Sequence, residues 1–279
     1  MRKGSFLKQL GATPYYLWAA LFIIVPIIYV LYYAFTDANG SFNGFENFRI
    51  IEHYSSTFVL SVMMAFIATV VCLLIGYPLA LAISRTKPMT QKILIMLVML
   101  PMWINFIIRT DSIAIILEKN GLINQFLGIF GVQADLMDNR FAVIIGMIYD
   151  FLPYMVLPIY SVLTKLDIRL VEAARDLGCN GIQALFKVIV PLSTAGIVSG
   201  ITMVFVPCVS TFYISQRLGG ANTYLIGDAI EARMLSISAD YNKGATLSFV
   251  LMLLIVVSTL IMNHYTDDDD STAAGGLMK

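Results

Sequence analysis

The chain of 279 residues carries 18 acidic and 18 basic side chains, a net charge of zero, while 58% of it is hydrophobic and 13% charged. An ordinary soluble domain is about 45–50% apolar and about 25% charged, so a chain of mean hydropathy +0.80 has too little polar surface to cover one soluble core. The same arithmetic excludes a disordered chain, a nucleic-acid binder and a secreted disulfide scaffold, and leaves an integral membrane protein with the lipid bilayer as its solvent.

A span needs about 20 mostly apolar residues, and long gaps between charges supply six. Residues 9–36 are uncharged and contain YYLWAALFIIVPIIYVLYYAF, too long for a signal-peptide core and without a small-x-small cleavage site. Residues 54–84 are also uncharged, and a third span starts at Ile93, is clean to Ile108 and passes Arg109 and Asp111 to about Leu117. The fourth, 141–164, holds one charge, Asp150; 188–216 and 244–266 complete the set. All six are expected to be helices, because only a helix satisfies its own backbone in lipid. His53 falls in a loop and His264 at a span end, with no metal-ligand spacing around either. Cys72, Cys179 and Cys208 form no CxxC pair and read as small apolar packing residues.

Lys and Arg number ten in the 44 residues of 1–13, 85–92 and 165–187, against seven in the 80 residues of 37–57, 109–140 and 217–243. This density bias places both termini in the cytoplasm. The organisation expected is a cytoplasmic segment 1–13, a six-span domain 14–264, and a polar, disordered acidic tail 265–279. Prolines at 26, 78, 101, 153, 158 and 207 interrupt spans, each removing a backbone hydrogen bond and kinking its helix.

Between spans four and five, residues 165–191 read KLDIRLVEAARDLGCNGIQALFKVIVP, a polar connection patterned as two short helices. Asp167 is an N-cap; Ile168, Val171 and Ala174 share a face; Gly178 can take the left-handed conformation that ends a helix. Asn180 caps a second helix, with Gln183 three residues on as in a capping box, and Pro191 marks the entry to span five. Ala173 and Ala174 leave a flat patch ringed by Glu172, Arg175 and Asp176. The pattern alone allows a helix resting on its own bundle or one offered to another subunit.

Glu172-Ala173-Ala174, Gly178 six residues after Glu172, and an apolar stretch ending at Pro191 resemble the EAA motif of bacterial ABC importer permeases; Val188 stands where isoleucine is usual. LPMWINFIIR (100–109), NGLINQFL (120–127), LTKLDIRLVEAARDLG (163–178) and LGGANTYLIG (218–227) are similar to the B-type permease subunits of spermidine/putrescine importers. The resemblance spans most of 14–265. It implies a type I ABC importer permease core, all-α, whose loop 165–187 is a cytoplasmic coupling helix, with Glu172, Ala173, Ala174, Arg175, Asp176, Gly178 and Pro191 as the coupling set. It further implies a second homologous permease, two ATPase subunits that hold ATP and Mg, and an extracytoplasmic polyamine-binding protein. Permeases for ferric iron, thiamine or sulfate share the motif and stand as alternative substrate classes.

No G-x-x-x-x-G-K-[ST] occurs, so ATP hydrolysis belongs to another chain and no cofactor is expected here. An intramembrane hydrolase would need a Ser–His pair, two facing aspartates or a His cluster within the spans, and none is present; a structural subunit without its own path is the remaining rival class. Asp150 lies nine residues into span four, about 13 Å at 1.5 Å per residue and near the midplane. There it is an anionic contact for a cationic substrate, one side of an interhelical hydrogen bond, or a protonated acid packed in the bundle. Asp111 follows Arg109 by two, which suggests a local ion pair. Trp103, Tyr149, Phe212 and Tyr213 offer π faces to ammonium groups, or serve as interfacial anchors or core packing. Ten acids against seven bases in the outer loops suit a cation, although the positive-inside bias alone produces much of such an excess.

Overall fold

The computed structural model describes residues 14–132, 134–236 and 239–276, without the side chains of Asn222 and of 263–276; the segment 1–13 lies outside the described residues. Helices account for the regular structure: α1 (Pro14–Phe35), α2 (Ile50–Ser84), α3 (Pro88–Met99), α4 (Phe106–Leu117), α5 (Leu122–Gly128), α6 (Arg140–Leu163), α7 (Ile168–Asp176), α8 (Gly181–Leu192), α9 (Thr194–Ser210), α10 (Tyr213–Leu218), α11 (Ile226–Leu235) and α12 (Tyr241–Gly276). Four are long and apolar enough to cross a membrane, or six spans result if each of two bent helix pairs counts as one.

Of the six prolines, Pro101 stands in the turn at the largest bend. Pro78, Pro153, Pro158 and Pro207 stand inside helices that run on past them. The large bends are 94° between Trp103 and Phe106 and 69° between Leu192 and Thr194. The first follows a tight turn over Leu100–Trp103, after which Ile104 is extended and Asn105 starts a new helix by accepting from Ile107 N at 2.9 Å. A fresh cap makes ending one helix and starting another cheap. At the second, buried Ser193 hydrogen-bonds the Tyr77 hydroxyl at 3.0 Å. His53 is also not in a loop: a turn over Glu46–Arg49 leads straight into α2, so the helix begins before the uncharged stretch does. The helical backbone of α12 runs on to Gly276 across the stretch expected to be a disordered tail, and 277–279 lie outside the described residues.

The chain forms two compact units, 1–55 with 229–254, and 56–228 with 255–279. In the first, the free carbonyls at the end of α1 are met by side-chain amides. Asn47 Nδ2 donates to Ala34 O at 3.1 Å and Thr36 O at 2.8 Å, and Asn242 Nδ2 donates to Thr36 O at 2.6 Å. Phe35, Phe45, Phe48 and Phe249 pack ring to ring beside them. Most of α1 is exposed apolar surface, including Leu17, Trp18, Phe22 and Ile28, which lipid or a second chain tolerates and water does not.

In the second unit α6 is the central helix: Met147, Asp150, Met155, Val156 and Ile159 are fully buried. Against it lies α9, brought close by Gly196 and Gly200, one turn apart. A Cβ on Gly196 would stand 3.0 Å from Pro158 O, and one on Gly200 only 2.7 Å from Met155 Sδ. Small residues at this spacing let backbones approach within a membrane, where helix association rests on close packing. Cys72 and Cys208 are buried free thiols in this unit, in line with a packing role; Cys179 is half-buried.

Candidate functional site: the coupling loop and the charged groups of the spans

The connection between α6 and α9 takes its shape from its own caps. Asp167 accepts from Arg169 N at 3.0 Å and starts α7; Gly178, at φ +89°, ends it, with Gly178 N donating to Arg175 O at 2.8 Å and Cys179 N to Ala174 O at 3.0 Å. Asn180 and Gln183 then make a reciprocal capping box, 2.8 and 3.0 Å. Two short helices that would be marginal alone are thus closed at each junction. Their surface departs from the expected apolar face: Val171 is buried, but Ile168 is 56% exposed and Ala174 only half-buried. Glu172, Ala173, Arg175 and Asp176 are exposed, beside Leu177, Ile182 and Phe186 at 88%, 70% and 65% exposure. Large apolar side chains thus stand open beside charged ones on this loop, while Val171 packs on the rest of the chain. Pro191 lies in α8, two residues before the Ser193 bend.

Asp150 is fully buried, and its carboxylate is already engaged. One oxygen accepts from Arg109 Nε, and Oδ2 accepts from Thr110 Oγ1 at 3.0 Å. Arg109, 5% exposed, also donates through Nη1 to Pro101 O at 3.2 Å and through Nη2 to Asp150 O at 3.4 Å. The guanidinium therefore joins α4 to α6 and to the turn before the 94° bend. Of the readings of Asp150, the interhelical hydrogen bond is the one the geometry displays.

The Arg109–Asp111 pair expected from their proximity does not form. Side chains two apart on a helix point to different faces, so Asp111 turns toward α10. Its Oδ1 accepts from Arg217 Nε at 2.7 Å and its Oδ2 from the Tyr213 hydroxyl at 3.1 Å. Glu118 Oε1 lies 3.6 Å from Arg217 Nη2, and Arg217, Asp111 and Glu118 are 36%, 38% and 51% exposed. The Asp111 hydrogen bond raises Arg217 further above its ordinary pKa range. Tyr213 is the aromatic candidate tied to a carboxylate among the described residues; Trp103, Tyr149 and Phe212 are 74%, 37% and 42% exposed. From Tyr213 a run of rings continues through Phe106 and Phe151 to Tyr154, with centroids 6.3, 6.4 and 6.3 Å apart.

Sequence reasoning missed Arg109, Thr110, Glu118 and Arg217 as members of these clusters, and Asp228, which is buried and accepts from Ser215 Oγ at 3.0 Å and Leu225 N at 2.7 Å. One signal was present: Asp111 and Glu118 are seven apart, two helical turns on one face.

A helical membrane chain that exposes a capped two-helix loop between spans and carries no nucleotide-binding loop has the form of a transporter's membrane subunit. The chain belongs to the family of binding-protein-dependent transport system inner membrane components, whose model matches residues 73–267. It is 40% identical over 246 residues to the spermidine/putrescine transport system permease protein PotB of Haemophilus influenzae, covering 84% of this chain and 85% of that protein. To the protein of the same name in Escherichia coli K12 it is 36% identical, covering 85% and 89%. Its fold is that of a chain of a bacterial ABC transporter that imports the acidic polysaccharide alginate, TM-score 0.71 at 20% identity, covering 95% and 96%. A second structure of a bacterial alginate ABC transporter, in complex with a pentasaccharide-bound periplasmic protein, gives a TM-score of 0.75 at 19% identity, covering 94% of both chains.

Proposed function

We propose that this chain is the permease subunit of an ATP-driven importer that carries polyamines into the cytoplasm by alternating access. The observation that carries the substrate is the 40% identity, over most of both chains, to a spermidine/putrescine permease; what supports the coupling role is the capped, exposed loop of 165–187. The chain works with a second, homologous permease, two ATPase subunits and an extracytoplasmic polyamine-binding protein, and ATP and Mg belong to the ATPases. Both termini face the cytoplasm, a reading that the Lys and Arg bias supports. Glu172, Ala173, Ala174, Arg175, Asp176 and Gly178 form the surface that enters an ATPase cleft. Closure of the ATPases on ATP moves this loop, and α6 and α9, at its two ends, carry the movement into the membrane. Asp111 and Tyr213 belong to the substrate path, with Trp103, Tyr149 and Phe212 as further π faces; Asp150 stands behind them as a structural anchor.

The test is uptake by the complete complex in vesicles, with labelled spermidine and putrescine run against ferric ion, thiamine and sulfate. Polyamine uptake that needs ATP and the binding protein supports the reading, and uptake of another solute without a polyamine signal replaces the substrate. Glu172→Lys or Gly178→Pro should abolish transport while the spans still insert; wild-type transport in both removes the coupling assignment.

A further inference from the structure

The cluster between α4 and α10 is out of electrical balance. Two carboxylates, Asp111 and Glu118, face one guanidinium, Arg217, and all three are more than a third exposed. Half-exposed ion pairs of this kind are worth only about 0–1 kcal/mol, so a competing cation can exchange with the guanidinium at little cost. The exchange conserves charge, since an ammonium replaces a guanidinium. The contrast with Arg109 is direct: that guanidinium is buried against a buried carboxylate and has no route to exchange.

A second observation, independent of the carboxylates, points to the kind of cation. Tyr213, whose hydroxyl holds the other oxygen of Asp111, is also the first ring of the run through Phe106 and Phe151 to Tyr154. Phe106 and Tyr213 are half-buried, Phe151 is buried and Tyr154 is 36% exposed. A charged head and an aromatic track thus meet in one residue. That arrangement suits a ligand with an ammonium at its end and methylenes and further ammonium groups behind it, because rings accept both apolar contact and cations on their faces. A compact metal ion would make no use of the track, and an anion would be repelled by the head.

We propose that Arg217 is a resident counter-cation which the leading ammonium of the substrate displaces from Asp111 and Glu118, so that Arg217 sets the apparent affinity and reports occupancy. The inference rests on the polyamine reading of the transported solute. Displacement removes one of the ties between α10 and α4, leaving the Tyr213 bond to Asp111 and its contact with Phe106, and α10 follows directly on α9, the helix that begins after the 165–187 loop. Arrival of substrate and loosening of that helix end are then the same event. An empty site stays latched by the protein's own cation.

The experiment uses the complete complex in lipid vesicles and reads ATP hydrolysis and uptake against spermidine concentration. Arg217→Gln should raise hydrolysis without substrate and lower the half-saturating spermidine concentration about threefold, the size expected of a half-exposed pair. Arg217→Lys, which keeps a competing cation, should stay close to wild type. Glu118→Gln leaves the Asp111 bridge in place and should raise the half-saturating concentration about threefold; it serves if Arg217→Gln does not assemble. In Arg217→Ala, added guanidinium chloride should act as a competitive inhibitor of spermidine, where the same ionic strength of sodium chloride does not. An unchanged half-saturation in Glu118→Gln, or one raised in Arg217→Gln as it is in Asp111→Asn, overturns the proposal, since the arginine would then only orient the carboxylate. Absence of polyamine uptake by the wild-type complex fails the substrate reading itself and is seen before any variant is made.

Discussion

Arg109 and Asp111 stand two residues apart on α4, yet their partners differ in nearly every physical respect. Arg109 reaches inward to Asp150, with 5% and 0% of the two side chains exposed, and uses its remaining donors on backbone carbonyls. Asp111 reaches across to Arg217, with more than a third of each side chain exposed and a second carboxylate nearby. The first pair has no water to fall back on, so each charge obliges the other to stay. The second can trade its partner for a solute. Similar residue types on one helix thus become a fixture or a switch according to burial alone.

Breaking the buried pair should give the largest effect. Asp150→Asn leaves the Arg109 charge uncompensated and should lower stability by about 3–5 kcal/mol, seen as lost expression or a lower Tm of the assembled complex before any change in the affinity for substrate. The double variant Arg109→Met with Asp150→Leu removes both charges and should recover most of that loss, because apolar replacement of a whole buried pair is often neutral or better. If Asp150→Asn instead kept its Tm and lost spermidine uptake, the fixture would be a substrate contact and the contrast between the pairs would fall.

Asp111→Asn should cost at most about 1 kcal/mol of stability, as exposed pairs do, while reducing uptake of a cationic substrate with assembly intact. A Tm loss as large as that of Asp150→Asn would show that the pairs are not different in kind. The smallest effect is expected at Asp240, whose carboxylate accepts from Lys243 N at 3.1 Å and pairs with Lys243 Nζ at 2.8 Å outside the spans. Burial pushes its pKa up, but the hydrogen bonds and charge of Lys243 outweigh this and hold it below the ordinary carboxylate value. Its stabilisation is therefore present above the unfolded value of about 3.9 and disappears as pH falls through the lower folded value. Asp240→Asn should lose about 0.3–0.5 kcal/mol at neutral pH and show a flatter Tm against pH in the acid range.

What was legible in the sequence was whatever is decided within a few residues. The uncharged stretches announced the spans, and Asp167, Gly178, Asn180 and Gln183 announced the coupling loop, because a cap needs only its own turn. The break at Ile104 and Asn105 was missed, since apolar character continues across it while the backbone does not. The partners of Asp150 and Asp111 were missed for a different reason. They lie 41 and 106 residues away in the chain, and only the packing of α4 against α6 and α10 brings them near. Proximity along the chain suggested Arg109 for Asp111; helical geometry turned the two apart.

The close approach of α9 to α6 at Gly196 and Gly200 has a mechanical meaning. The connection between spans four and five leaves α6 at Leu163 and joins α9 at Thr194, so both of its roots are set in a pair whose backbones come close at Gly196 and Gly200. Such a pair resists bending and sliding better than either helix alone. Under the coupling proposed above, a push on the loop is delivered to this pair as a unit, with Ser193 and its bond to Tyr77 at the elbow. A larger side chain at Gly200 would wedge the two arms apart and leave an importer whose motor still turns without moving its gate.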